Sequence, residues 1–257
     1  MTTSLLDRLT AGDREVLGRI LGGGAGWEDF EKEVTGHPWR LMDLLADPAL
    51  LDAVLDPRLG PGSAVSPTLL FAVFVCHAAA ELRSAGHVAE WAGPHARVPV
   101  FDVGEVQEFL EAPGRVLFLV ELLTSFAGTA PGRGIDDLVT LAEMSDDSPG
   151  WYRRLADLVL FLAGVFPDRT LLRPYSPAEA EKLGRSAGMT AGEILATLAD
   201  APGGTISAVE ALGCRWYAKA AADQDSPAVV ADLAARFRPA RRILTYVSDR
   251  HLYRRAA

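Results

Sequence analysis

Cysteine occurs only twice in the chain, at Cys76 and Cys214. Neither stands at a metal-type spacing, so both read as reduced core thiols of a cytosolic protein. Lysine is nearly as scarce, with Lys32, Lys182 and Lys219 the only three among 25 basic residues. We take this arginine bias, together with the abundance of alanine, as the mark of a GC-rich genome rather than of function. No apolar run reaches the roughly 18 to 20 residues of a membrane span. The stretch Met1–Ile20 is polar and charged, without the apolar core of a signal peptide. Neither HExxH nor ExxH is present. Gly22-Gly23-Gly24-Ala25-Gly26 lacks the Gly-Lys-Ser/Thr of a phosphate loop and reads as a linker.

What is present points to helices. Ser-Pro occurs four times, at Ser66-Pro67, Ser148-Pro149, Ser176-Pro177 and Ser226-Pro227, each ahead of a helix-favouring stretch. Serine can cap the first free amides of a helix, and proline fits its first position because its missing N–H would be unbonded there. Gly86, Gly128 and Pro167 supply matching stops. These signals predict helices near 4–20, 27–34, 38–46, 48–55, 67–85, 105–127, 135–144, 149–166, 177–188, 191–200, 205–222, 227–236 and 239–254. Val98–Val103 could be extended, but a single short strand makes no sheet. Hydrophobic content of 49% and a mean hydropathy of +0.13 predict heavily buried helices. The expected fold is all-α, a multi-helix globular bundle of about a dozen helices. Ala130–Gly134 is the expected boundary between an N-terminal lobe, 1–129, and a C-terminal lobe, 135–257, which could also pack as one domain.

Charge is uneven. Residues 211–257 hold nine basic and four acidic residues (net +5), against 16 basic and 30 acidic over 1–210 (net −14). An acidic body argues against nucleic-acid binding over the whole surface. The basic tail leaves room for an anionic ligand at the C-terminal helix, where Arg236, Arg238, Arg241, Arg242, Arg250, Arg254 and Arg255 interleave with Tyr246 and Tyr253. The alternative is a basic face lying on the acidic body. Ile243, Tyr246 and Val247 form only a modest apolar stripe, so much of this helix is expected to be solvated.

Three apolar stretches each hold a lone ionisable group: Thr68–Ala80 has His77, Val116–Ala127 has Glu121 and Leu155–Phe166 has Asp157. Such a group is costly in a core unless paired, which makes each a candidate site. The alternative is that each lies on a narrow wet stripe. His77 falls about 120° from the apolar face of its helix, grouped with Glu81 one turn on. His77, Glu81 and His87, with Glu90 and His95, are the candidate metal ligands, weighed against partly exposed His–Glu pairs. Glu121 shares its side with Thr124 and Ser125, as a wet edge would. Asp157 follows Arg153 by one turn and can pair with it. The functional alternative has Glu121, Arg153 and Asp157 holding a polar ligand between helices.

Gly184-Arg-Ser186-Ala-Gly188 matches the GxSxG elbow of α/β-hydrolases, but that elbow needs a preceding strand. Pro177–Leu183 reads as helix instead, so a patch of small residues letting two helices approach is expected. The stretch Leu155–Asp168, with Tyr152, Gly164, Phe166-Pro167 and Gly184-Arg-Ser186, resembles a pattern in a family of bacterial all-helical proteins to which no activity is attached. Ala156 and Met189 depart from that pattern, which elsewhere has Gly and an aromatic. The resemblance covers about residues 148–215 and implies an all-helical fold.

These readings lead to a cytosolic, non-enzymatic interaction or adaptor protein. A protein partner or self-association is expected, without a membrane or a cofactor. The alternative is a helical small-molecule or metal-binding protein, or an enzyme, with its pocket near His77, Glu121 and Asp157.

Overall fold

In the computed structural model, residues 2–20, 27–56, 65–93, 96–128, 135–144, 147–168, 175–199, 204–223 and 226–253 are described. The glycine run at 22–26, the boundary at 130–134, His95, Arg254 and Arg255 lie outside them. Fifteen α-helices and one two-stranded sheet are found among the described residues, and the fold is all-α. No helix among these residues is long and apolar enough to cross a membrane. The chain divides into two compact units: Met1–Ala85 with Gln107–Gly128, and Gly86–Val106 with Thr129–Ala257.

The first unit contains α1 (Thr2–Asp7), α2 (Ala11–Ile20), α3 (Trp27–Gly36), α4 (Pro38–Leu45), α5 (Pro48–Leu55), α6 (Pro67–Arg83) and α8 (Pro113–Phe126). Helix α7 (Gly104–Leu110) runs across the division. Helix α6 is the axis, packed by α4, α5 and α8. Ser66 starts it as the Ser-Pro signal predicts, its Oγ accepting from the Leu69 N–H at 3.2 Å with Pro67 following. Of the stripe read around His77, His77 itself is buried, Leu70 and Glu81 are half-buried and Ser84 is exposed. Neighbours on several sides cover a helix whatever its periodicity.

Two predicted helices are each divided. Thr10 and Asp13 cap one another's backbone N–H groups, so α2 starts afresh at Ala11. Pro113 takes the first turn of α8 and Ala112 before it is extended, so 105–127 becomes α7 and α8.

The second unit opens with a hairpin, β1 (Val88–Gly93) and β2 (Ala96–Val100), paired Val88↔Val100, Glu90↔Val98 and Trp91↔Arg97. The sequence reading gave no partner to the extended stretch near Val98. The partner was hidden because the ladder is irregular between Trp91 and Gly93, and the buried residues of β1, Val88 and Trp91, stand three apart. Strict alternation, the usual strand signal, is therefore absent.

Then come α9 (Ile135–Glu143), α10 (Pro149–Val165), α11 (Pro177–Ala187), α12 (Ala191–Ala199), α13 (Gly204–Ala220), α14 (Ala228–Ala235), α15 (Phe237–Val247) and a π-helical turn, Ser248–Leu252. Helix α10 lies against both α13 and α15, with Leu155, Leu160, Trp216, Tyr217 and Phe237 in the core. Ser148 and Ser176 cap α10 and α11, and Ser176 forms a full capping box with Glu179. The fourth Ser-Pro differs: α14 begins after Pro227, without a side-chain cap. The C-terminal helix is also not the solvated one expected. Phe237, Ala240, Ile243, Leu244 and Val247 are all buried, and Phe237 and Pro239 extend the apolar face ahead of the predicted stripe.

Candidate functional site

The densest polar cluster of the second unit lies where α15 meets β1 and α13. Arg241, only 2% exposed, gives Nε to Glu210 Oε1 and Nη2 to Glu90 Oε1, both at 2.6 Å. Arg242 Nε holds the other oxygen of Glu90 at 2.6 Å. Arg238 Nε holds the other oxygen of Glu210 at 3.0 Å. Spacings of three and four residues put all three arginines on one side of α15. Burial alone would push the Glu90 carboxyl up, but the charges and hydrogen bonds of Arg241 and Arg242 outweigh it and hold the group below its ordinary range. Beyond this cluster, Arg97 of β2 makes a two-pronged pair with Asp249 of the π turn and lies 4.2 Å from the centroid of the Trp91 ring. Ser248 Oγ donates to the Val165 carbonyl at 2.9 Å, fixing that turn on α10. The Arg-rich segment is thus a basic face lying on carboxylates of its own unit. The sequence reading weighed Glu90 only beside His87 and did not consider Glu210. An alternation of carboxylate and guanidinium across some 30 to 150 residues leaves no local spacing to read.

A second polar layer joins α10, α11 and α13. Tyr217 Oη donates to Asp157 Oδ1 at 2.7 Å, and Arg153 Nε lies 3.6 Å from Asp157 Oδ2. Burial, then the Asp157 carboxylate, push the Tyr217 phenol well above its ordinary range. Tyr152 Oη donates to Asp147 Oδ1 at 2.5 Å, while Lys219 Nζ lies 3.4 Å from the same phenol oxygen. Lys219 also donates to the Ser186 carbonyl at 2.5 Å. Asp147 adopts φ +56°, a backbone region that favours glycine but that Asp tolerates better than most.

Ser186 sits near the end of α11, buried, and not on a strand-to-helix turn. Its Oγ donates to the Leu183 carbonyl at 2.8 Å and accepts from Trp216 Nε1 at 3.1 Å. The hydroxyl proton faces a carbonyl rather than a base, so nothing here activates a nucleophile. Gly184 explains the motif differently: a Cβ there would stand 2.5 Å from the Met189 carbonyl oxygen, so only glycine lets the chain turn back so closely.

The other candidates fall as follows. His77 is buried in the first unit, with Nε2 3.1 Å from the Asp47 carbonyl oxygen. An acceptor at that distance means Nε2 carries a hydrogen there. Asp47 also caps α5 through Ala49 N–H at 2.8 Å, so His77 ties α6 to the start of α5. Glu81, half-buried, follows one turn on, and Glu121 is half-buried on α8. His87 belongs to the second unit, exposed, its ring centroid 5.8 Å from that of Phe101. Among the described residues no group of three His, Cys, Asp or Glu side chains is placed to hold a metal ion. The expected pocket residues are divided, His77 and Glu121 in the first unit and Asp157 in the second. Asp13, which the sequence reading passed over, is fully buried. It accepts from Thr10 N–H at 2.8 Å and from Ser66 N–H at 2.9 Å, joining the starts of α2 and α6.

Both thiols are held in the protonated form at neutral pH. Burial pushes Cys76 up to about 12, and burial with the neighbouring Glu210 pushes Cys214 up to about 11. Set against protein-family models, curated proteins and solved structures, the chain matches none of them.

Proposed function

We propose that this protein is a non-enzymatic interaction protein that meets a protein partner through its β-hairpin. The observation that carries the reading is Phe101, just beyond β2 and 74% exposed, with Val98 of β2 at 44%. Covering a phenylalanine side chain is worth about 2 kcal/mol, which makes this position a natural contact point. Among the described residues the sheet has two strands, but Pro99 in β2 brings no N–H to its edge, so the contact is made by side chains rather than by an added strand. A formal net charge of −9 sets copies of the chain against each other, which favours a different protein as partner. The satisfied Ser186 hydroxyl and the two thiols held protonated support a binding role over a catalytic one.

Photocrosslinking tests this directly. A benzoylphenylalanine placed at 101 in the full chain is expected to give one discrete heteromeric product in cells, absent when the same group replaces the exposed Glu181. Val98→Asp is expected to abolish it. A product of twice the chain mass would reassign the surface to self-association. Equal labelling at 101 and 181 would end the hairpin reading.

A further inference from the structure

We propose that Arg241 and Thr245 form a buried site for one small monocarboxylate. Arg241 has spent Nε and Nη2 on Glu210 and Glu90, but Nη1 is buried and has no hydrogen-bond partner among the described residues. The guanidinium is planar and rigid, so an Nη1 that touches neither carboxylate presents its N–H bonds elsewhere. Thr245, 2% exposed and one helical turn further on, has a buried Oγ1 that likewise finds no partner among the described residues. Side chains four apart on a helix stand over one another, and Thr245 leans back towards the turn that carries Arg241. In a dry site valine would fill the same space as threonine without a polar atom to satisfy. Leaving a buried donor unmet costs about 1–3 kcal/mol, and here there are two on one face.

Charge selects the ligand class. Glu90 and Glu210 face three guanidinium groups, those of Arg238, Arg241 and Arg242, so the cluster carries one positive charge in excess. Asp249 on the same side is taken by Arg97. Glu105 also faces Arg238, but Glu105 is exposed and Arg238 more than half exposed, so solvent screens the attraction between them. One singly charged oxyanion makes the cluster neutral, whereas a doubly charged phosphate overshoots. A carboxylate also matches the donors: one oxygen to Arg241 Nη1, with the Thr245 hydroxyl donating to the carboxylate. Arg238, the most exposed member, with Arg242 and Glu90 less so, marks the side of entry. This site stands independently of the hairpin reading.

The test is calorimetric titration of the full chain with acetate, against chloride and inorganic phosphate at equal ionic strength. Saturable binding of one acetate is expected, with phosphate weaker. Thr245→Val, which keeps the shape of the residue, is expected to weaken acetate binding about tenfold, as one lost hydrogen bond to a charged group would. Its melting temperature without acetate should not fall, which separates a lost ligand contact from a damaged fold. Arg241→Lys keeps the charge but not the fork and should abolish acetate-dependent stabilisation. The proposal is overturned if no saturable heat appears with acetate. It is equally overturned if phosphate binds as well as acetate, or if Thr245→Val binds acetate like the parent.

Discussion

Asp13 shows how much one side chain can do far from any candidate site. Its two oxygens take N–H groups from Thr10 and Ser66, which stand at the starts of two different helices. Asp13→Ala leaves both donors short and removes a charge-assisted pair, so a loss of about 3 kcal/mol is expected in urea unfolding. Asp13→Asn keeps the shape and should recover part of it. The Arg153–Asp157 pair was readable beforehand because its partners are one helical turn apart. Asp13 was not, since Ser66 lies 53 residues away and nothing local advertises it. His77 was half readable: its burial cost was plain, but its acceptor is a backbone carbonyl 30 residues earlier, which no residue-type pattern encodes.

At the scale of elements, glycines decide which helices can touch. A Cβ on Gly164 of α10 would stand 2.5 Å from Leu244 Cβ of α15, and one on Gly213 of α13 would run into the Phe237 ring. Gly164→Ala and Gly213→Ala should each cost about 1–3 kcal/mol, because neither neighbour can leave the core. Gly18, inside α2, is the control: nothing lies within 4 Å of its added Cβ, so Gly18→Ala should stabilise by about 0.5–1 kcal/mol. Thermal melts of the three variants give opposite signs if these contacts are right. Helix starts marked by Ser66, Ser148 and Ser176 were legible because capping is local chemistry. The hairpin was not, because an irregular ladder hides period two, and Thr10–Asp13 broke a helix that apolar spacing alone would continue.

For the molecule as a whole, Glu90 sets an acid limit. Its carboxyl is held below its ordinary value of 4.5 in the folded chain, so the unfolded chain binds the proton more tightly. The stability it contributes is therefore complete above that value and is lost as pH falls below it, towards the folded value. Glu90→Gln should flatten this part of the stability curve while leaving its slope near pH 7 unchanged, as acid titrations followed by circular dichroism would show. The all-helical class was legible from composition and caps. Gly86–Val106 groups with the far end of the sequence, and such grouping is a property of long-range burial rather than of any local stretch.

The hairpin's own anchors carry a consequence for how the chain is made. Glu90 is held by Arg241 and Arg242, and Arg97 by Asp249, partners 151 and 152 positions later. On the ribosome, residues 88–100 emerge long before those partners exist. The hairpin is thus among the earliest segments of its unit to leave the exit tunnel and the last to be locked. Nascent chains stalled ahead of Phe237 should expose it to protease, and chains carrying α15 and the π turn clear of the ribosome should protect it.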